Sequence, residues 1–150
     1  MAHSFANLLT HLIFSTKGRF PQIDQDLKPQ LTAYMGGIIR ELHGIALLID
    51  GTRDHVHLLV RLPPTIALAN VLRVLKANSS RWVHKRWPAR ADFAWQTGYG
   101  AFSVSQSNAT AVLRYIANQE QHHRQVSFQQ EMRTYLHKNK IDRDERSLSE

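Results

Sequence analysis

The chain has 150 residues, 43% of them apolar and 21% charged, the proportions of one ordinary globular domain with room for a hydrophobic core. It contains no cysteine, which excludes disulfides, zinc knuckles and thiol catalysis. The formal net charge is +7, and Arg61, Arg73, Lys76, Arg81, Lys85, Arg86 and Arg90 crowd a stretch between Asp54 and Asp92 that carries no acid. Interleaved with Trp82 and Trp87, that block suits a polyanion and, among polyanions, nucleic acid. The N-terminal residues lack the basic start, long apolar run and small-residue cleavage site of a signal peptide. No apolar stretch approaches the roughly 20 residues that span a bilayer. A soluble, cytoplasmic protein with no membrane association is expected.

No repeat, low-complexity tract or linker interrupts the chain, so residues 1–140 read as one domain and 141–150 as a polar tail. In chain order, "SFANLLTHLIFSTK" alternates as a strand, with Phe5, Asn7, Leu9, His11 and Ile13 on one side and Leu8, Thr10, Leu12 and Phe14 on the other. "DQDLKPQLTAYMGGIIRELHG" reads as a helix, capped by Asp24 or Asp26 and stopped by Gly44. "IALLIDG" and "HVHLLVRLP" read as two strands joined through "GTRD". The longest helix follows in "TIALANVLRVLKANSSRWVHKRW", with Ile66, Ala69, Val71, Leu72 and Leu75 toward the core and Lys76, Arg81 and Lys85 on another side. "GYGAFSVSQS" is a strand, "SNATAVLRYIANQEQHH" a helix capped by Ser107 or Asn108, and "SFQQEMRTYLHKN" a further short helix. This succession predicts an α+β fold of the ferredoxin-like split βαβ kind, an antiparallel sheet with helices on one face.

Two pairs of residues carry chemistry. His55 and His57 in "DHVHLLV" are two apart on a strand, so both imidazoles leave the same face while Val56, Leu58 and Val60 face the other. Two imidazoles about 7 Å apart along a rigid strand can converge on one divalent ion. Tyr115 and Gln119 in "YIANQ" are one helical turn apart, on the flank of the stripe formed by Ala109, Val112, Leu113 and Ile116. Gln119 offers a hard carbonyl oxygen, suited to magnesium or manganese, and places the phenol of Tyr115 beside the ion. A metal that polarises a phosphodiester would allow that phenol to attack it and store the bond energy as a phosphotyrosine. Two-metal carboxylate chemistry is disfavoured: Asp50 and Asp54 lie near the histidines, but no third acid has obvious company. His122 and His123, a turn beyond Gln119, read as surface histidines, with a contact to DNA or to the groups around the ion as the alternative.

"DHVHLLV", "LKANSSR", "WQTGYGAFSVS" and "YIANQEQHH", in this order and spacing, resemble the single-tyrosine HUH transposases of small bacterial insertion sequences and their REP-associated relatives. The resemblance runs from "HLIFSTKGR" to "NQEQHH". It implies that His55, His57 and Gln119 hold Mg2+ or Mn2+ and that Tyr115 is the nucleophile. It also implies single-stranded DNA with hairpins at the element ends, a 5′-phosphotyrosine intermediate and a freed 3′-hydroxyl. A homodimer is implied as well, in which the tyrosine helix of one subunit can serve the histidines of the other. For DNA contacts the candidates are Lys17 and Arg19 after the first strand, and Lys76, Asn78, Ser79 and Arg81 on the long helix, with Trp82 as a stacking surface.

Three alternatives compete. A histidine-triad hydrolase needs a third alternating histidine where this chain has Leu59. Two-histidine phosphoesterases need a repeated H-x-[ST], and no histidine here is followed two residues later by Ser or Thr. The strongest alternative is a domesticated module that binds single-stranded DNA hairpins without strand transfer; it has no need for all four of His55, His57, Tyr115 and Gln119.

Overall fold

The computed structural model describes residues 4–141, so all but the first residue of the expected polar tail lies outside the described residues. The elements run β1 (Leu8–Ser15), α1 (Leu27–Glu41), β2 (Ile45–Gly51), β3 (His55–Leu62), α2 (Leu68–Arg86), β4 (Gly100–Val104), α3 (Ala109–Ala117), α4 (Gln119–His122) and α5 (Phe128–Lys138). The strands form one sheet in the order β2-β3-β1-β4, and every pairing is antiparallel. That order and the β-α-β-β-α-β succession are those of the ferredoxin-like fold, as the sequence pattern predicts.

The side chains of β1 and β3 sort by parity into two layers. Leu12 and Phe14 of β1 join Val56, Leu58 and Val60 of β3 in a large core against Leu31, Met35 and Ile39 of α1 and Leu72, Leu75 and Val83 of α2. Leu9 and Leu59 face the opposite way and pack on Ala109 and Ile116 of α3, while Ile13 and Phe102 pack on Phe128 and Met132 of α5. The expectation of helices on one face therefore holds for α1 and α2 only. The helices after β4 cover the other face, because the β1 and β3 residues of the second parity are also apolar and need cover.

Local chemistry sets the element ends. Asp24 caps the first long helix, its Oδ1 accepting from the Leu27 and Asp26 amides, while the Asp26 side chain makes no capping bond. At the other end His43, not Gly44, takes the left-handed conformation, with φ 65°. The Gly44 amide donates back to the Ile39 carbonyl and the His43 amide to that of Arg40, a Schellman closure. Ala69 is exposed rather than in the core. The helix expected across 107–123 breaks in two, because Asn118 leaves the helical region at φ −105°, ψ 19°. Neither Ser107 nor Asn108 caps it with a side chain; a 3-10 turn at Gln106–Asn108 leads in instead. Helix α5 starts on a capping box, Ser127 and Gln130 bonding reciprocally to each other's amides.

The β2–β3 turn delivers the histidines. Gly51 packs so close to the next strand that a Cβ there would collide with the His55 carbonyl oxygen and lie 2.8 Å from Val56 Cα. Gly51→Ala must displace backbone and is expected to lose about 1–3 kcal/mol. Gly37→Ala, in α1 with nothing within 4 Å of the new methyl, is expected to gain about 0.5–1 kcal/mol from helix propensity. Urea unfolding of the two variants checks the contrast.

Candidate functional site

On the face covered by α3–α5, β3 presents His55 and His57, both fully buried. β1 contributes His11 from the same layer, since Ile13 pairs with His57 and His11 lies two residues further along. Helix α3 brings Tyr115 and α4 brings Gln119, whose Oε1 lies 3.0 Å from His55 Nε2. The four residues expected to act together are thus in one place, and within a single chain: the Tyr115 and His57 rings are 5.7 Å apart between centroids.

The centre of the cluster is Glu131 of α5, a residue the sequence reading did not single out. Its Oε1 lies 2.9 Å from His57 Nε2, 3.1 Å from His123 Nε2 and 3.5 Å from His55 Nε2. Its Oε2 accepts the Tyr115 hydroxyl proton in a short hydrogen bond and the Gln119 amide at 3.2 Å. His122 Nε2 is 3.2 Å from the Tyr115 hydroxyl. So the third acid absent from the sequence expectation exists, and His123, expected at the surface, lies mostly inside. A local signal for Glu131 was present: Phe128, Met132 and Tyr135 form a helical stripe at i, i+4 and i+7, and position i+3 of that stripe is this acid.

The histidine orientations follow from their outer partners. His55 Nδ1 faces Asp54 Oδ1 at 2.7 Å, and Thr52 Oγ1 donates to the same carboxylate oxygen at 2.9 Å. The carboxylate accepts a hydrogen bond from His55 Nδ1–H, which turns the Nε2 lone pair toward the cluster. His57 Nδ1 meets His11 Nε2 at 2.8 Å. Burial pushes the His57 imidazole down to about 4 and the His11 imidazole down to about 3, so both are neutral near pH 7. Burial alone would raise the Glu131 carboxyl, but the His123 and His57 imidazoles and the Tyr115 phenol hold it well below the usual range. Burial and this carboxylate together push the Tyr115 phenol above its usual value, so its hydroxyl is protonated at rest.

These donors fit a divalent ion. With its Nδ1–H donated to Asp54, His55 turns its Nε2 lone pair on Gln119 Oε1, an approach of lone pair to lone pair that a shared cation satisfies. The buried Nε2 of His123 has no hydrogen-bond partner, because its approach to Glu131 is close but misaligned. Among the described residues, His55, His57, His123 and Glu131 offer ligand atoms within 4.8 Å of one another.

The expected DNA contacts are scattered. Arg19 borders a cleft of about 670 Å³ shared with Arg53, Asp54, His123, Arg124 and Phe128, which reaches the cluster's edge. Lys17 is exposed in the preceding 3-10 turn. Lys76 donates to the Gly98 carbonyl at 2.8 Å and Asn78 is half-buried, whereas Arg81 is exposed; all three lie on α2, across the sheet from the imidazoles. Ser79 turns inward and accepts from Trp95 Nε1, and Trp82 stacks on Tyr34 at 4.4 Å. These two are packing residues because α2 needs them against the core. Asp50 is held by Lys28 at 2.6 Å and takes no part.

The model of the IS200-like transposase family matches residues 4–119. This chain belongs to that family. The match ends at Gln119, so the family's span includes β3, Tyr115 and Gln119 but not His123 or Glu131. No curated protein matches the chain. Among solved structures, a candidate transposase from Deinococcus radiodurans R1 superposes with a TM-score of 0.66 at 22% identity, over 79% of this chain and 95% of that one. A REP-associated tyrosine transposase bound to a REP hairpin gives 0.58 at 11% identity, over 79% of this chain and 70% of that one. At such identities these neighbours speak to the fold. Membership of the family assigns transposase function, DNA strand transfer and a divalent metal at the level of class. No helix among the described residues is long and apolar enough to cross a membrane.

Asp54→Ala removes the group that fixes the His55 tautomer without touching the cluster itself. Isothermal titration with Mn2+ is expected to show affinity reduced by about 10–100-fold, the usual effect of losing such an outer partner.

Proposed function

We propose that the protein cleaves and rejoins single-stranded DNA at hairpin-marked ends through a phosphotyrosine at Tyr115, with His55, His57 and Gln119 holding Mg2+ or Mn2+. The observation that carries this reading is the convergence of the Tyr115 hydroxyl and the paired imidazoles on one buried carboxylate. A binding module has no use for it. The hairpin-bound neighbour, whose fold this chain shares, supports hairpin DNA as the substrate.

The ion would polarise the scissile phosphate and stabilise charge on its oxygens. The chain's residues do the rest. The Tyr115 oxygen attacks phosphorus, the bond from phosphorus to the 3′ oxygen breaks, and the strand leaves with a 3′-hydroxyl while its partner end stays on Tyr115 as a 5′-phosphodiester. The phenol proton has an acceptor at hand in Glu131 Oε2, and a proton from solvent completes the departing 3′-hydroxyl. A second 3′-hydroxyl reverses the step, so strands are exchanged with no net hydrolysis and no nucleotide cofactor. Arg19, Arg53 and Arg124 around the cleft suit the phosphates on either side of the break, and Lys17, Asn78 and Arg81 suit more distant ones. Lys76, already bound to Gly98, is the weakest of the expected contacts. The homodimer implied by family resemblance stays part of this reading; within one chain the Tyr115 and His57 rings already lie 5.7 Å apart.

With manganese or magnesium and hairpin-containing single-stranded DNA, the protein is expected to form an adduct that survives denaturing electrophoresis. Tyr115→Phe should abolish the adduct and leave DNA affinity within about twofold, since only the nucleophilic oxygen is lost; an adduct persisting in this variant would move the nucleophile elsewhere. His57→Ala should weaken ion binding and cleavage together. Arg19→Ala should lower DNA affinity for all sequences alike and reduce the slope of log affinity against log salt by about one. Salt-sensitive binding with no adduct under either metal would favour the domesticated binding module.

A further inference from the structure

We propose that Glu131 and His123 are themselves metal ligands, so that one divalent ion joins strand β3 to helix α5. This rests on the metal-dependent reading above and adds two ligands that lie beyond the stretch matched by the family model.

The distances carry it. Ligand atoms about 2.1 Å from an ion stand roughly 3.0 Å apart at octahedral and 3.4 Å apart at tetrahedral angles. Glu131 Oε1 stands 2.9, 3.1 and 3.5 Å from the Nε2 atoms of His57, His123 and His55. Each separation is that of neighbouring donors on a shared ion, the four ligand atoms all lie within 4.8 Å of one another, and the buried His123 Nε2, 3.1 Å from Glu131, makes no well-aligned hydrogen bond among the described residues. A charge-neutralising carboxylate among three imidazoles, with Gln119 Oε1 beside them, is a donor set for a first-row transition ion ahead of magnesium.

The two carboxylate oxygens would then have separate tasks. Oε1 faces the imidazole nitrogens, and Oε2 holds the Tyr115 hydroxyl and the Gln119 amide. Glu131 is thus the group that fixes the nucleophile relative to the ion. The ion would in turn fasten α5 to the sheet, supplementing an apolar contact that consists of Phe128 and Met132 against Ile13 and Phe102, flanked by Tyr135 and Leu136.

The test uses the full-length, metal-stripped protein, titrated calorimetrically with Mn2+, Co2+ and Mg2+ and followed by hydrogen exchange of residues 128–138. One Mn2+ or Co2+ is expected per chain, bound more tightly than Mg2+, with bound Co2+ giving visible ligand-field absorption. Glu131→Gln, which keeps size and shape, should weaken Mn2+ binding by at least about 100-fold, more than loss of an outer partner does. His123→Ala should weaken it independently of any loss of charge. Metal should slow exchange in α5 of the original protein and not in Glu131→Gln. Circular dichroism and the unfolding midpoint of each metal-free variant establish that it is folded. If folded Glu131→Gln binds Mn2+ as tightly as the original protein, or more tightly, Glu131 merely fills the ion's place and the proposal is overturned. Formation of the Tyr115 adduct by the original protein with Mn2+ tests the strand-transfer reading separately and would leave it intact. An original protein that binds no ion and forms no adduct would sink both.

Discussion

The alternation of side chains along β3 governs everything that the protein brings together. β3 lies inside the sheet, hydrogen-bonded to β2 on one side and β1 on the other, and its register to both is fixed by apolar residues of one parity buried under α1 and α2. A one-residue slip would exchange the two faces, putting imidazoles into the larger core and valines into the site. The large core is thus what aims His55 and His57. Gly51 refines the aim, since the β2–β3 turn closes only where no Cβ intervenes.

Around that strand the protein builds a buried polar cluster that is satisfied mainly through one acid. Polar groups taken out of water need partners, and Glu131 serves the His57 imidazole, the Tyr115 phenol and the Gln119 amide at once, with His123 and His122 nearby. Outer partners complete the arrangement: Asp54 with Thr52 behind His55, and His11 behind His57. Such a network is costly to half-satisfy, which gives a reason for α3, α4 and α5 to close over a face that the ferredoxin-like core would otherwise leave bare.

Much of this was legible in the sequence, and the boundary of legibility has a physical cause. The strand period exposed His55 and His57 as a pair, and the helical period exposed Tyr115 and Gln119 as another, because each pair is encoded within a few residues. Their mutual contact is encoded by topology, and family resemblance supplied it. His11, His123 and Glu131 belong to the cluster by tertiary packing alone. His11 has the parity of Leu9 and Ile13 on β1, and Glu131 sits in an apolar stripe on α5; both are polar residues at inward positions, and such positions have meaning only once the facing layer is known. The break at Asn118 was likewise invisible, since the residues on both sides favour helix. The basic block misled in part: Arg61 bonds to Asn7, Arg90 to Asp24 and Lys76 to Gly98, so several of its charges are spent inside the protein.

The placement of α2 on the far face has a bearing on substrate length. α2 packs on one face of the sheet and α3 on the other, so the outward cations of α2 and the phenol of Tyr115 lie on opposite sides of it. A trinucleotide held at the Tyr115 face would not reach Arg81 on the opposite one. A strand long enough to pass around the sheet's edge would, and any grip exerted there would register in how firmly long DNA is held while leaving short oligonucleotides indifferent.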